Sequence, residues 1–270
     1  MLNLSSTLLM TTTEVVSLVS SGIFVGFVNT LAGGATIVSL TVLLMLGLPM
    51  SVANGTNRIP VIMQNIVAVG NFHRKGYVDW KKGIYYTIPS VIGALLGSFI
   101  VVQISERMVE ICFGFLMILM LFFLIFKPSI WLKGTEGLME KKVSIWLIIL
   151  FFFVGIYGGF IHVGVGYFYL MALVLGSGYD LIRANALKNL IVLLYVPFSL
   201  IFFIANDQIR WDYGLTHAVG NMIGAYISSR WAVQWGTQFI RWMLIVIIVI
   251  FSSQLLGIID LKSLLYGLIN

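Results

Sequence analysis

The sequence predicts an all-α polytopic membrane protein built as two inverted structural repeats, each a re-entrant, broken-helix hairpin followed by three transmembrane helices. Three observations lead there: an apolar excess that no soluble core could hide, two apolar segments of unusual length interrupted by glycines, and an internal repeat. Of the 270 residues, 60% are hydrophobic and 10% charged, and the mean hydropathy is +1.03. Soluble globular chains run at about 45–50% apolar and about 25% charged, so a soluble enzyme is excluded. At about 20 residues per crossing, the length accommodates roughly eight to ten crossing segments and no separate soluble domain. The net charge of +6 fits basic loops on the cytoplasmic side rather than nucleic acid. A single cysteine, Cys112, excludes an intramolecular disulfide. The N-terminal stretch lacks a basic n-region, and no cleaved signal peptide is expected.

Apolar segments run over 14–48, 57–73, 83–104, 108–127, 143–177, 188–205, 213–234 and 239–257. The first and fifth set the architecture. Glu14 to Leu46 is 33 residues, about 50 Å as one helix. That is too long for one crossing at ordinary tilt and too short for two. Gly33-Gly34 interrupts the first, and Gly164-Val165-Gly166 the fifth. A re-entrant hairpin with its tip near mid-membrane suits both facts, since irregular backbone at depth must be buried in protein or face a water-filled cavity. Two short, tilted spans joined by a tight turn are the alternative.

The chain repeats itself. Gly22-Ile23-Phe24-Val25-Gly26-Phe27 matches Gly155-Ile156-Tyr157-Gly158-Gly159-Phe160 at an offset of 133. At an offset of 131, Ala53-Asn54 matches Ala184-Asn185, Trp80 matches Trp211, and Gly93-Ala94 matches Gly224-Ala225. This divides one integrated transmembrane domain into a first repeat over 1–127, a cytoplasmic linker over 128–142 and a second repeat over 143–270. A hairpin plus three spans is an odd number of crossings, which inverts the second half. The loops agree: Arg74, Lys75, Lys81 and Lys82 lie in the first, whereas the matching loop of the second half carries Arg210 and two aspartates. Charge alone barely separates this from a parallel arrangement; segment length favours inversion, with both termini outside.

All ten acidic residues fall in loops or at segment ends, which argues against a cation pathway and a carboxylate proton relay. Arg58, Lys188 and His162 lie deeper. By the repeat, Asn57 corresponds to Lys188 and Arg58 to Asn189. Each half thus supplies an amide and a cation, in swapped order. Amides and cations together suit a compact oxyanion, and a buried cation in membrane is costly unless used. Interfacial snorkelling is the competing reading. The hairpin tips hold Asn29, Thr30, Gly33 and Gly34 in one half and His162, Gly164 and Gly166 in the other. Glycine lets backbone approach a ligand closely, and a half-helix starting at each tip aims N–H groups and its positive end at the centre. His162 could donate to substrate, carry a coupling proton or serve only packing. For the GxxxG-spaced pairs Gly22/Gly26, Gly93/Gly97 and Gly220/Gly224, close helix packing is expected. Gln64, Asn65, Asn71, Ser90 and Asn221 are expected to make interhelical bonds.

No HExxH pair or serine nucleophile with a nearby base occurs, so an enzyme is not expected, and no cofactor is implied. The reading is a secondary carrier of a small anion working by alternating access at a centre between the repeats, with a passive anion channel as the alternative. Its partners would be the anion, membrane lipid and a coupling proton or sodium ion.

Gly26-Phe27-Val28-Asn29-Thr30-Leu31-Ala32-Gly33-Gly34, then Leu46-Gly47-Leu48-Pro49 and Ala53-Asn54-Gly55-Thr56-Asn57-Arg58, resembles the TauE/SafE sulfite exporter family. The resemblance covers nearly the whole chain, with a degenerate second copy over 155–189. It implies a bacterial inner-membrane carrier of small sulfur oxyanions or organosulfonates, such as sulfite or sulfoacetate. It also implies a substrate region at Gly33-Gly34 and Asn54–Arg58. The family's glycine run is often longer and followed by a proline. Here Ala35 follows Gly34, Ser39 stands near the proline position, and His162 and Tyr167 make the second tip bulkier and more polar.

Overall fold

A computed structural model describes residues 10–31, 33–112 and 144–232. The expected linker, most of the 108–127 segment and the last apolar segment lie outside the described residues. Regular structure among the described residues is helical, without strands. The first half contains α1 (Thr12–Leu31), α2 (Thr36–Met45), α3 (Met50–Thr56), α4 (Arg58–Arg74) and α5 (Trp80–Gln103). The second contains α6 (Ile145–Phe160), α7 (Val165–Met171), α8 (Leu181–Ala205) and α9 (Trp211–Ile227). Among the described residues, α1, α5 and α8, at 20, 24 and 25 residues, are long and apolar enough to cross a membrane.

Local chemistry sets the helix starts. The Asp79 carboxylate accepts from Lys82 N at the head of α5, and Asp180 accepts from Ile182 N and Arg183 N at the head of α8. Ser144 plays the same part for α6. Caps of this kind contribute about 1 kcal/mol each. Trp80 and Trp211, matched by the repeat, each open the last described long helix of their half and are about half exposed.

Both overlong segments break where their glycines stand. α2 turns back along α1: Leu40 and Leu43 share a core with Leu18. His217 ties the pair, its ring nitrogens lying 2.8 Å from Ser39 Oγ and 2.8 Å from Leu18 O. In the second half the break is fastened by Tyr157 of α6, whose hydroxyl donates to Val163 O at 2.5 Å.

Helix packing follows one rule in both halves. α1 packs on α9 as α6 packs on α5, α4 packs on α9 as α8 packs on α5, and α4 meets α8 in the middle. Glycines make the first two contacts. Gly22 and Gly26 face Gly220 and the backbone of Asn221, and a Cβ on Gly22 would stand 2.6 Å from His217 O. Gly155 and Gly159 lie against Ser90 and Ala94, while Gly93 and Gly97 lie against Phe152 and Ile156. The packing expected of the GxxxG-spaced pairs is what the structure shows. In lipid, where apolar burial between helices gains little, such backbone-to-backbone approach is what binds helices together. Outward faces are apolar: Ile84, Ile88, Ile92 and Leu96 form an exposed stripe along α5, as do Leu215, Val219 and Ile223 along α9.

Contacts at the helix ends fix directions. Lys75, just past α4, donates to Ser229 O and Arg230 O beyond the C-terminal end of α9, whereas Arg210 N, just before α9, donates to Thr56 Oγ1 just before α4. α4 and α9 therefore run parallel. Tyr179, before α8, donates to Asp79, before α5, so α5 and α8 are parallel too. Since α4 turns tightly into α5, α4 and α8 run in opposite senses.

Candidate functional site

The two breaks meet at the centre. A Cβ on Gly33 would stand 2.5 Å from Gly166 Cα, and one on Gly166 2.5 Å from Gly33 Cα. The two residues correspond at the repeat offset of 133. Gly33 holds φ +83° and Gly164 φ +66°, conformations that glycine adopts without strain. Gly34 lies under the Tyr167 ring, where a side chain would collide.

The cations are placed by the helix ends that the breaks create. A helix leaves its last four carbonyls without intrahelical partners. Lys188 of α8 reaches the end of α1: its Nζ donates to Asn29 O at 2.8 Å, Thr30 O at 3.1 Å and Asn185 Oδ1 at 2.9 Å. Asn189 Nδ2 joins it on Thr30 O at 3.0 Å. Arg58 of α4 does the same for α6. Its Nη1 donates to Gly158 O at 2.5 Å, and its Nη2 donates to Gly159 O at 2.9 Å and Asn54 Oδ1 at 3.3 Å. Asn54 Nδ2 completes the set on Phe160 O at 2.8 Å. Each half thus caps the broken helix of the other with a cation and amides, the charge complementing the negative helix end. Neither cation has a carboxylate within ion-pair distance among the described residues.

Beside the tips lies a small cavity of about 10 Å³, room for about one water molecule. The first half lines it with Asn29, Gly33, Thr36, Gln64 and Asn65, and the second with His162, Val165, Gly166, Lys188, Asn189 and Val192. Of the residues expected at a site, Asn29, Gly33, His162, Gly166, Lys188 and Asn189 are therefore brought together. Thr30 contributes through its carbonyl, its hydroxyl being spent on Gly26 O. Gly164 forms the turn into α7, and Gly34 packs under Tyr167. Asn57 and Arg58 do not line this cavity. Arg58 extends to the α6 carbonyls and over the Phe203 ring, 5.1 Å from its centroid. Arg58 Nε and both polar atoms of the Asn57 side chain are buried without a protein partner.

Inside the cavity wall, Asn29 is held from both sides. It accepts from Ala35 N at 2.8 Å and donates to Thr36 Oγ1 at 3.1 Å. His162 is anchored by Tyr195, whose hydroxyl is 2.8 Å from Nδ1. Gln64 and Asn65, expected to make interhelical bonds, instead line the cavity, with Oε1 and Oδ1 buried and unpartnered. Asn71 does bond across helices, to Ser229, while Asn221 folds back on its own helix at His217 O.

A model of the sulfite exporter TauE/SafE family matches residues 18–255. The chain belongs to the TauE/SafE sulfite exporter family. Its relatives are named as membrane transporters. The "probable membrane transporter protein YfcA" of Escherichia coli K12 is 28% identical over 239 residues, covering 86% of this chain and 85% of that protein. The "probable membrane transporter protein ORF9" of Sinorhizobium sp is 22% identical over 232 residues, covering 86% and 88%. A "probable membrane transporter protein" of Haemophilus influenzae is 25% identical, covering 87% and 91%. No solved structure matches the chain. Family and apolar helices together make this TauE/SafE member a membrane transporter, and the cavity at its hairpin tips the candidate site.

Proposed function

We propose that this protein is a secondary carrier of a small anion, a sulfur oxyanion or organosulfonate, working by alternating access in a bacterial inner membrane. The observation that carries this reading is the buried Lys188 beside a cavity where two broken helices meet through Gly33 and Gly166. A cation, neutral amides and the N-terminal end of α2 converge there, the chemistry an oxyanion needs. The reading is supported by helix directions: the matched helices α4 and α8 run in opposite senses, as inverted repeats require; the proposed topology has both termini outside. Broken helices at the interface of inverted repeats are a recurrent transporter architecture. The cavity is too small for a sulfur oxyanion as it stands, so admission requires the hairpins to move apart.

Proteoliposomes decide between carrier and channel. A carrier shows saturable sulfite flux and counterflow, exchanging labelled external for unlabelled internal substrate. Flux that neither saturates nor exchanges overturns the carrier and leaves a passive pore.

A further inference from the structure

We propose that the cavity takes its oxyanion as a singly charged species that keeps one O–H, of the hydrogen sulfite class, so that each turnover carries a proton on the substrate itself. This rests on the carrier reading above and specifies what that carrier recognises.

The first ground is two orphaned acceptors. Asn65 Nδ2 donates to Val61 O at 2.7 Å. Turning the amide over would set Oδ1 against that carbonyl, so the oxygen is the atom left without a partner in the cavity wall. It is buried without a partner, and so is Oε1 of Gln64. Both residues line the cavity and are at least nine-tenths buried, at 1% and 3% exposed. A buried acceptor left unpaired is costly. A fully deprotonated oxyanion brings only lone pairs to these oxygens, whereas an O–H answers one of them.

Charge is the second ground. Lys188 is the cation on the cavity wall, and Arg58 is turned away to the α6 carbonyls. One positive charge, partly offset by the end of α1 that it caps, matches one negative charge better than two. Lys188 supplies charge rather than hydrogen bonds, its three N–H groups being spent on Asn29 O, Thr30 O and Asn185 Oδ1. Other donors for the anion's oxygens are at hand. Thr36 Oγ1 accepts from Asn29 and keeps its own proton. The N-cap of α2 is Ala35, which has no side-chain acceptor for the first-turn N–H groups.

The third ground is the route of the proton. No aspartate or glutamate is buried among the described residues. His217 has both ring nitrogens committed, to Ser39 and Leu18. The titratable groups on the cavity wall are Lys188 of α8 and His162 at the second break, with Tyr195 of α8 bonded to His162 and Tyr167 of α7 over Gly34. Arg58 of α4 and Tyr157 of α6 bond main-chain carbonyls at the second break. None forms a carboxylate relay, so a proton bound to the cargo needs no relay at all.

The test uses the full chain in proteoliposomes and initial rates of sulfite uptake at several pH values across the hydrogen sulfite–sulfite equilibrium. The KM in total sulfite is expected to rise with pH while the KM in hydrogen sulfite stays constant. Methanesulfonate, which has one charge but no O–H, should compete at least about tenfold more weakly than hydrogen sulfite. Asn65→Leu should narrow that gap by raising the KM for hydrogen sulfite and leaving the competition by methanesulfonate unchanged. A KM constant in the dianion, or methanesulfonate competing as well as hydrogen sulfite, overturns the inference while leaving the carrier intact. Absence of saturable flux of both sulfite and methanesulfonate at every pH overturns the carrier reading as well. The wild-type pH series decides even where Asn65→Leu fails to assemble.

Discussion

Gly33 and Gly166 stand backbone to backbone at the point where the two broken helices meet, each occupying the space a Cβ on the other would need. Because they correspond in the repeat, the contact joins equivalent points of the two halves. The cations rest on the helix ends that these breaks expose, so the tips, Lys188 and Arg58 form one connected structure. Any movement of one hairpin is felt through the carbonyls that the other half caps.

Substitutions at the contact should separate strain from overlap. Gly33→Ala meets both, since φ +83° costs an L-residue about 1–2 kcal/mol and the new methyl overlaps Gly166. Gly166→Ala meets the overlap alone. Flux in proteoliposomes should fall in both, further in Gly33→Ala, at equal amounts of folded protein. Wild-type flux in Gly166→Ala would show that the contact does not matter to transport.

Lys188 and Arg58 should share a structural penalty and differ in transport. Lys188→Met leaves the α1 carbonyls Asn29 O and Thr30 O short of donors, and Arg58→Met does the same to Gly158 O and Gly159 O. With charged hydrogen bonds contributing about 1.5–3 kcal/mol each, both variants should unfold at lower temperature in detergent. Only Lys188 lines the cavity, so only Lys188→Met should also alter which anions compete. Equal changes in anion preference would mean that both cations reach the cargo.

Packing through glycine predicts matched damage at two interfaces. Gly220→Val would drive a side chain into Val19 of α1, and Gly97→Val one into Ile156 of α6. Overpacking costs about 1–3 kcal/mol and occasionally more, so thermal unfolding should show similar losses for both. Gly70 of α4 has open space around it, and Gly70→Ala should be neutral or stabilise by about 0.5–1 kcal/mol. Loss of stability in Gly70→Ala equal to that in Gly97→Val would contradict the packing account.

The breaks in the long segments and the glycine interfaces were legible in the sequence, because each leaves a mark: a run too long for one crossing, or a Gly at a spacing of four. The fate of the cations left none. Lys188 and Arg58 bond chiefly to main-chain carbonyls of the opposite half, and no residue type signals that a carbonyl is vacant. Sequence symmetry set both cations at one centre, whereas the side chains reach different helix ends. Gln64 and Asn65 were hidden for a related reason. Their composition matches that of Asn71 and Asn221, and only the direction in which an amide points separates a cavity wall from a helix contact.

Opposed helix directions lead to a prediction about the membrane. Arg74 closes α4 at the end where Lys75 meets Arg230, and Asn206 follows α8 at the end where Arg210 meets Thr56. Both positions are exposed and sit in loops matched by the repeat. In a Cys112→Ser background, Asn206→Cys should react with a membrane-impermeant maleimide added to spheroplasts. Arg74→Cys should react only after permeabilisation, since basic loops stay on the cytoplasmic side. Labelling of both from the same face would contradict the opposed directions of α4 and α8 and with them the inverted repeat.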